Sequence, residues 1–412
     1  IQCSKDPCVF STRNDDGSLK GIVVMYVDDF LYLGSASAFN GFHKQISKDF
    51  DVTIGSTDQR DVKIWNGLEI RRLDDGRISV TQVSKIREMA REYKIVLDGL
   101  DNGRKTKAVS PEYSGENNFD PNDGIDPNNM TPEERETLRL YQSMVGSIMY
   151  VATYTRFDVA HALAKASRLM HRASIKHIRG IARVMRYLVD HEDVALIYDG
   201  TQCMPGGTPR IFAFVDSDYG GEPMHTTGDK DLGRKSTSSI IIMCAGAPIY
   251  WKSKLQKSVA TSSGEAEFRA LNVAMKEVAF CYYFLKEMGY DISYTPVFCD
   301  AAVGIAQMKR DGNSWLEGTK QYETELSYAF SLCKSGMVVP IKIGTDDNPA
   351  DLLTKSNMKN NDVTKKHIDR ISGNAKVGFS TWVRRQLSSF DGTSMPSDGF
   401  LHKEQLFALC GV

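Results

Sequence analysis

Two apolar, strand-like runs in this chain end abruptly in aspartate, and that limits how its C-terminal half can fold. Ile211-Phe212-Ala213-Phe214-Val215 runs into Asp216-Ser217-Asp218, and Pro296-Val297-Phe298-Cys299 runs into Asp300. Short continuous apolar runs of this kind read as buried strands. Two more acids come from other elements. Glu265 and Glu267 lie in Ser262-Ser263-Gly264-Glu265-Ala266-Glu267-Phe268, and Asn348-Pro349-Ala350-Asp351 opens a helix with Asp351 in its first turns. Acids at strand ends and on a core helix would converge at one edge of a sheet, which is costly unless cations compensate. Spacing separates the two glutamates, which point about 200° apart on a helix. Glu267 shares a face with Leu271, Ala274 and Val278. Glu265 shares one with Arg269, Asn272 and Lys276, so it reads as a solvent-side residue with an i+4 partner in Arg269.

The rest of the chain divides around this unit. Residues 1–108 mix strands and helices. Residues 109–137 are rich in Pro, Asn, Gly and acid, which predicts an extended or mobile linker without a core. Residues 138–204 read as helices with short breaks. Residues 205–356 read as strands first, then alternating helices and strands, an α+β or α/β pattern, and 357–412 as a tail with weak signals. The expected fold class is therefore α+β or α/β and multidomain. No apolar stretch of about 18 residues or more exists to span a membrane. The start has no basic segment followed by an apolar run, so it is not a signal peptide, and it opens on Ile1 rather than Met, as a processed or truncated product would. Eight dispersed cysteines with no Cys-x-x-Cys pair argue against a zinc cluster or a disulfide scaffold, and read as reduced thiols inside a cell.

Gly21-Ile22-Val23-Val24-Met25-Tyr26-Val27 and Phe30-Leu31-Tyr32-Leu33-Gly34 flank Asp28-Asp29. Two strand-like runs around paired acids predict a β-hairpin with carboxylates at its tip. Such a tip is either a solvated turn or a site for a divalent cation. Net charge is −1, without the basic excess usual in nucleic-acid binders. Charge is local instead: residues 141–188 hold eight Lys/Arg and a single acid, Asp158. Within them Lys176, Arg179, Arg183 and Arg186 follow one helical face, and Ile178, Ile181, Met185 and Leu188 the opposite one. Solvated faces usually mix signs, whereas a single-sign stripe suits a phosphate backbone.

These segments resemble the C-terminal part of a copia-type retrotransposon polyprotein. Tyr26-Val27-Asp28-Asp29 is similar to the catalytic hairpin of the family's reverse transcriptase. Ser4 to Phe10 resembles the segment before it, Trp65-Asn66-Gly67-Leu68-Glu69-Ile70 the primer-grip strand, and Ile78 to Gln82 the strand that follows. Tyr141 to Tyr150 and Thr155 to Ala160 resemble the thumb. The order of acids from Asp216 to Asp351, with Gly233 to Ser238, Ala247 to Lys254 and Ala350 to Lys355, resembles a retroelement ribonuclease H. The resemblance covers roughly residues 3–356 and departs at Asn66, Phe157, Ala301 and Gln321.

The resemblance implies four units: the C-terminal half of a reverse-transcriptase palm (1–108), a linker (109–137), a helical thumb or connection (138–204) and a ribonuclease H domain, a mixed five-stranded sheet with flanking helices (205–356), followed by the tail (357–412). By motif, the ribonuclease metal ligands and catalytic residues carry over to Asp216, Glu267, Asp300 and Asp351, and the polymerase ones to Asp28 and Asp29. Nucleic-acid contacts fall to Lys176, Arg179, Arg183, Arg186, Trp65 and Gly67. The implied cofactor is Mg²⁺, two ions at the ribonuclease H site, with Mn²⁺ as a substitute. The implied substrate is an RNA–DNA hybrid or template-primer, and the reaction is hydrolysis of the RNA strand. Polymerase activity is not expected from this chain alone, because the family's upstream aspartate and fingers are missing. Three readings follow: an intracellular nuclease in a cytoplasmic particle or nucleus, one half of a split reverse transcriptase completed by a second chain with fingers and first palm half, or a domesticated, silent structural subunit of a large host complex, in an organelle for example.

Overall fold

A computed structural model describes residues 1–55, 61–100, 110–112, 118–203, 208–221, 235–292, 294–301, 305, 323–355 and 361–373. The readings placed on Gly233, Arg234 and Gln321 lie outside these residues, as does the tail beyond 373.

Runs of β-branched, aromatic and other apolar residues form a three-stranded antiparallel sheet from β1 (Val9–Arg13), β2 (Leu19–Tyr26) and β3 (Asp29–Gly34), followed by α1 (Ala36–Ile46). Tyr26 pairs with Asp29, so Val27 and Asp28 are the two-residue turn of a hairpin. Val27 lies at φ 54°, a costly conformation for a β-branched residue. A second sheet runs β4 (Lys63–Trp65), β5 (Leu68–Arg72), β6 (Ile78–Thr81) and β7 (Leu196–Tyr198). The segment resembling a primer-grip strand is thus a hairpin, folding back at Asn66-Gly67. Both residues have positive φ, 45° and 68°, as a tight hairpin turn demands. The fourth strand arrives from beyond the helices, pairing Ile78 with Tyr198.

The helical unit packs α2 (Val83–Glu92), α3 (Lys94–Leu100), α4 (Pro132–Tyr154), α5 (Ala160–Ser167) and α6 (Ile175–Asp190) around one core. Thr131 and Glu134 close a capping box at the start of α4. The expectation of a coreless linker fails here. Phe119 and Ile125 are buried in the helical core, the Ile125 N–H donates to the Arg172 carbonyl, and His177 bonds the Asp120 carbonyl at 2.8 Å. A few apolar anchors suffice to dock a polar segment.

The five-stranded sheet has the order β10–β9–β8–β11–β12, from β8 (Ile211–Asp218), β9 (Thr237–Cys244), β10 (Ala247–Leu255), β11 (Thr295–Cys299) and β12 (Val338–Lys342). Its first three strands are antiparallel, and β11 runs parallel to both β8 and β12. The sheet is therefore mixed, flanked by α7 (Ser263–Glu287) and α8 (Glu323–Lys334). Ala213 and Val215 face the α7 core, while Phe212 and Phe214 face a second core with Phe157, Ile341 and Leu353. Covering both faces is why β8 reads as an unbroken apolar run. The tail contributes too: α9 (Asn361–Ile371) buries Ile371 and His367, and the Ile197 N–H donates to the Ser372 carbonyl. Among the described residues no helix is long and apolar enough to cross a membrane.

Buried histidines, His161 and His367 above all, make the fold acid-sensitive. Burial, then the charges of Lys165 and Arg168, lowers His161 to about 3. Burial, then Arg370 and Lys366, lowers His367 to about 4. Both stay neutral in the fold, whereas in the unfolded chain they take a proton near pH 6.5, roughly. Their contribution is intact above that value and is lost as the pH falls towards 4 and then 3. Raised carboxyls act in the opposite sense, so the informative quantity is a difference. Urea midpoints measured at pH about 7.5 and about 5 should fall less on acidification in His161→Asn than in the parent. Equal falls would contradict the assignment.

Candidate functional site

Four acidic residues from four elements meet at one end of the five-stranded sheet. Asp216 ends the buried part of β8 and is 5% exposed. Asp300 follows β11 directly, in parallel register beside β8. Glu267 lies in the first turns of α7, and Asp351 in a 3-10 turn, Pro349–Leu353, rather than the helix expected for it. Proline and the Asn348 side chain, which accepts from the Ala350 N–H, start that turn. Three side chains fix it to the sheet: Asn348 Nδ2 donates to the Val215 carbonyl at 2.9 Å, Ser239 Oγ to Ala350 at 2.9 Å, and Ser253 Oγ to Leu353 at 2.6 Å.

The acids act on one another electrostatically. Burial raises the Asp351 carboxyl well above the usual range, and the Asp216 charge raises it further. Burial and then Asp216 also raise Asp300, while burial raises Glu267 with help from Asp300 and Asp216. Asp216 is the common neighbour. Two groups partly answer its charge. Thr354 Oγ1 donates to Asp216 Oδ2, and Lys355 Nζ donates to Asp351 Oδ2 at 2.6 Å. Although burial pulls the Lys355 ammonium down, its bond to Asp351 and the fields of Asp216 and Asp351 carry it above the ordinary lysine value. In the sequence, Thr354 and Lys355 stand out only as part of a motif. Their i+3 and i+4 spacing from Asp351 is the signal that could have given them roles.

The donor set suits a hard divalent cation, being carboxylate oxygen throughout. One further observation agrees: Asp351 Oδ1 is buried and meets no donor among the described residues. As the side chains stand, no three His, Cys, Asp or Glu among the described residues close into a metal-holding group. The Lys355 bond to Asp351 supplies compensating charge in that arrangement. Glu265 is held elsewhere. It pairs with Arg269 at 2.6 Å and accepts from Thr261, so it is tied into a half-buried network rather than solvated as expected. Glu267 accepts from Ser263 at 3.2 Å and faces the acids.

The other singled-out residues lie on separate elements. Asp28 and Asp29 are exposed at the tip of the β2–β3 hairpin. Tyr26 beside them meets Trp65 edge-on at 6.4 Å, which brings the two hairpins together. The half-buried Trp65 buries its indole N–H without a partner among the described residues. Gly67 has a structural reason to be glycine. A Cβ there would lie 2.4 Å from the Tyr150 hydroxyl, which donates to the Asn66 carbonyl at 2.7 Å. Gly67→Ala should therefore cost about 1–3 kcal/mol, from backbone strain and displacement of Tyr150. Equilibrium urea unfolding checks this, and an unchanged midpoint would contradict the turn.

The α6 stripe is less open than its spacing suggests. Ile178, Ile181, Met185 and Leu188 are buried, as the opposite face requires. Arg179 and Lys176 are exposed, but Lys176 pairs with Asp123 from the segment read as a linker. Arg183 and Arg186 are half-buried, and Arg186 donates to the Leu97 carbonyl at 3.3 Å. Of the other cations counted with them, Arg156 binds Asp158 and Lys165 binds Glu112, both inside the protein.

No family model matches the chain. It is 28% identical over 357 residues to the retrovirus-related Pol polyprotein from transposon TNT 1-94 of Nicotiana tabacum, covering 86% of this chain and 24% of that protein. It is 27% identical over 341 residues to the corresponding polyprotein from transposon RE1 of Arabidopsis thaliana, covering 82% and 21%. The chain thus spans less than a quarter of the length of these two curated relatives. Among solved structures, LC11-RNase H1 in complex with an RNA/DNA hybrid matches at 15% identity and a TM-score of 0.26, over 35% of this chain and 93% of that one.

Proposed function

We propose that this chain, whose homologues are Pol polyproteins from plant retrotransposons, is a ribonuclease H-type fragment that hydrolyses the RNA strand of RNA–DNA hybrids. The observation that carries this reading is the meeting of Asp216, Glu267, Asp300 and Asp351 at one end of a mixed five-stranded sheet. Residues 205–356 are the nuclease domain, 138–204 the thumb and 1–108 part of a palm. Asp28 and Asp29 are its polymerase-type carboxylates. We place this work inside the cell.

Asp216, Glu267, Asp300 and Asp351 would hold the divalent ions, Mg²⁺ or Mn²⁺. When bound, these supply an activated water and charge for the leaving 3′-oxygen. The protein's own part is positioning. Asn348, Ser239 and Ser253 fix the Asp351 turn on the sheet, and Thr354 orients Asp216. Glu267 rather than Glu265 faces the site, so Glu265→Gln should retain hybrid cleavage while Glu267→Gln loses it. Equal loss from both would defeat the assignment.

Lys176, Arg179, Arg183 and Arg186 would bind the hybrid backbone, with Trp65 and Gly67 near the primer. Reversing the four cations together should weaken binding for every sequence and flatten its salt dependence, by about 0.9 in log–log slope for each phosphate that is no longer neutralised. Because Lys176 and Arg186 are already engaged, the slope should change by less than the equivalent of four phosphates. Titration by fluorescence anisotropy at several salt concentrations measures it, and an unchanged slope would remove the stripe from the interface.

One observation favours a second reading, a catalytically silent structural subunit. Lys355 and Thr354 already give two of the acids partners from the chain itself. That subunit would bind Mg²⁺ no better than a chain lacking Asp216.

A further inference from the structure

We propose that His161 is a positioning residue for the carboxylate site, through which the helical unit holds the Asp351 turn; this deepens the nuclease reading above and rests on it. His161 stands on α5 and is buried. Its Nδ1 bonds the Leu353 carbonyl at 3.2 Å, a residue 192 positions away. A carbonyl can only accept, so Nδ1 carries the hydrogen. The same oxygen accepts from Ser253 Oγ at 2.6 Å. Leu353 is thus held from both sides, by the sheet and by the helical unit.

What that carbonyl anchors is the site. Asp351 lies two residues before it, Thr354 directly after donates to Asp216, and Lys355 then reaches back to Asp351. Clamping one oxygen with two donors fixes the peptide plane from which these side chains project. The surrounding junction is closed. Phe157, fully buried, meets Trp251 edge-on at 6.1 Å, and Trp251 Nε1 donates to the Ala152 carbonyl at 2.8 Å. Neutral imidazole keeps one N–H for this bond, and burial together with Lys165 and Arg168 keeps it neutral. The sheet domain is therefore not a free-standing module: part of its carboxylate geometry is set by α5.

The test uses the full chain with His161→Leu, which keeps bulk but loses the donor, and His161→Asn, which restores a donor near Nδ1. Two readouts are taken: hydrogen exchange of the peptide covering 349–355, and Mn²⁺ affinity by calorimetry. In His161→Leu the 349–355 amides should exchange faster while those of β8 and β9 stay protected. Mn²⁺ affinity should fall about tenfold, the low end of what losing an outer-shell partner costs. His161→Asn should recover most of both. Unchanged exchange at 349–355 in His161→Leu would overturn the proposal, as would faster exchange that His161→Asn leaves unrepaired. Absence of Mn²⁺ binding by the parent chain would overturn the nuclease reading, and the exchange data would still decide whether His161 holds the turn.

Discussion

Asp216→Asn should abolish metal-dependent cleavage and at the same time stabilise the metal-free chain. Loss of a ligand to the ions removes several kcal/mol of transition-state stabilisation, about a thousandfold in rate or more. The gain in stability comes from the same charge. Burial raises Asp300, Asp351 and Glu267 most, and the Asp216 field adds to all three, so neutralising it relieves that part at once. Asn keeps an oxygen to accept from Thr354, so the geometry should survive. The urea midpoint without metal should therefore rise, and the stabilisation that Mg²⁺ gives the parent should disappear. A variant that loses both activity and stability would show that Asp216 matters for packing, not for its charge.

Arg156→Met should be the most destabilising single change outside the site. The guanidinium is fully buried, forms two bonds to Asp158 at 2.9 and 2.7 Å, and donates to the His191 carbonyl at 2.8 Å. Removing it strands a buried carboxylate, which typically costs about 3–5 kcal/mol. Replacing Asp158 by Leu in the same chain should return much of that loss, because an apolar pair leaves no orphan charge. Equilibrium unfolding of the two single variants and the double variant measures the coupling. Simple additivity of the losses would mean that the pair is not a unit.

These residues also show what the sequence could and could not convey. The acids at strand ends were legible because their strands are unbroken apolar runs, and Glu267 because helical spacing separates it from Glu265. The hairpin at Asp28-Asp29 and the buried face of α6 followed from periodicity in the same way. What the sequence does not convey is packing by segments whose local pattern carries no core signal. Arg156 and Lys165 count towards the basic excess of residues 141–188, but one is neutralised by Asp158 and the other by Glu112 from the supposed linker. Phe119 and Ile125 are too sparse to signal a core locally, yet they complete one built by other helices. β7 joins β6 across more than a hundred residues, and α9 closes a core whose strands lie far upstream. The Asn66-Gly67 turn is different, because an Asn-Gly pair between apolar runs is itself a hairpin signal inside the segment that resembles a strand.

The central claim is that the four acids at the sheet end cut RNA in a hybrid. The most direct measurement is incubation of the purified full chain with an end-labelled RNA–DNA hybrid, RNA duplex and DNA duplex, in Mg²⁺ and in a chelator. The account predicts cleavage of the hybrid's RNA strand in Mg²⁺, none in chelator, none of either duplex, and none by Asp300→Asn that remains folded. A folded chain that leaves the hybrid intact in both Mg²⁺ and Mn²⁺, or that cuts it equally well in chelator, would contradict it.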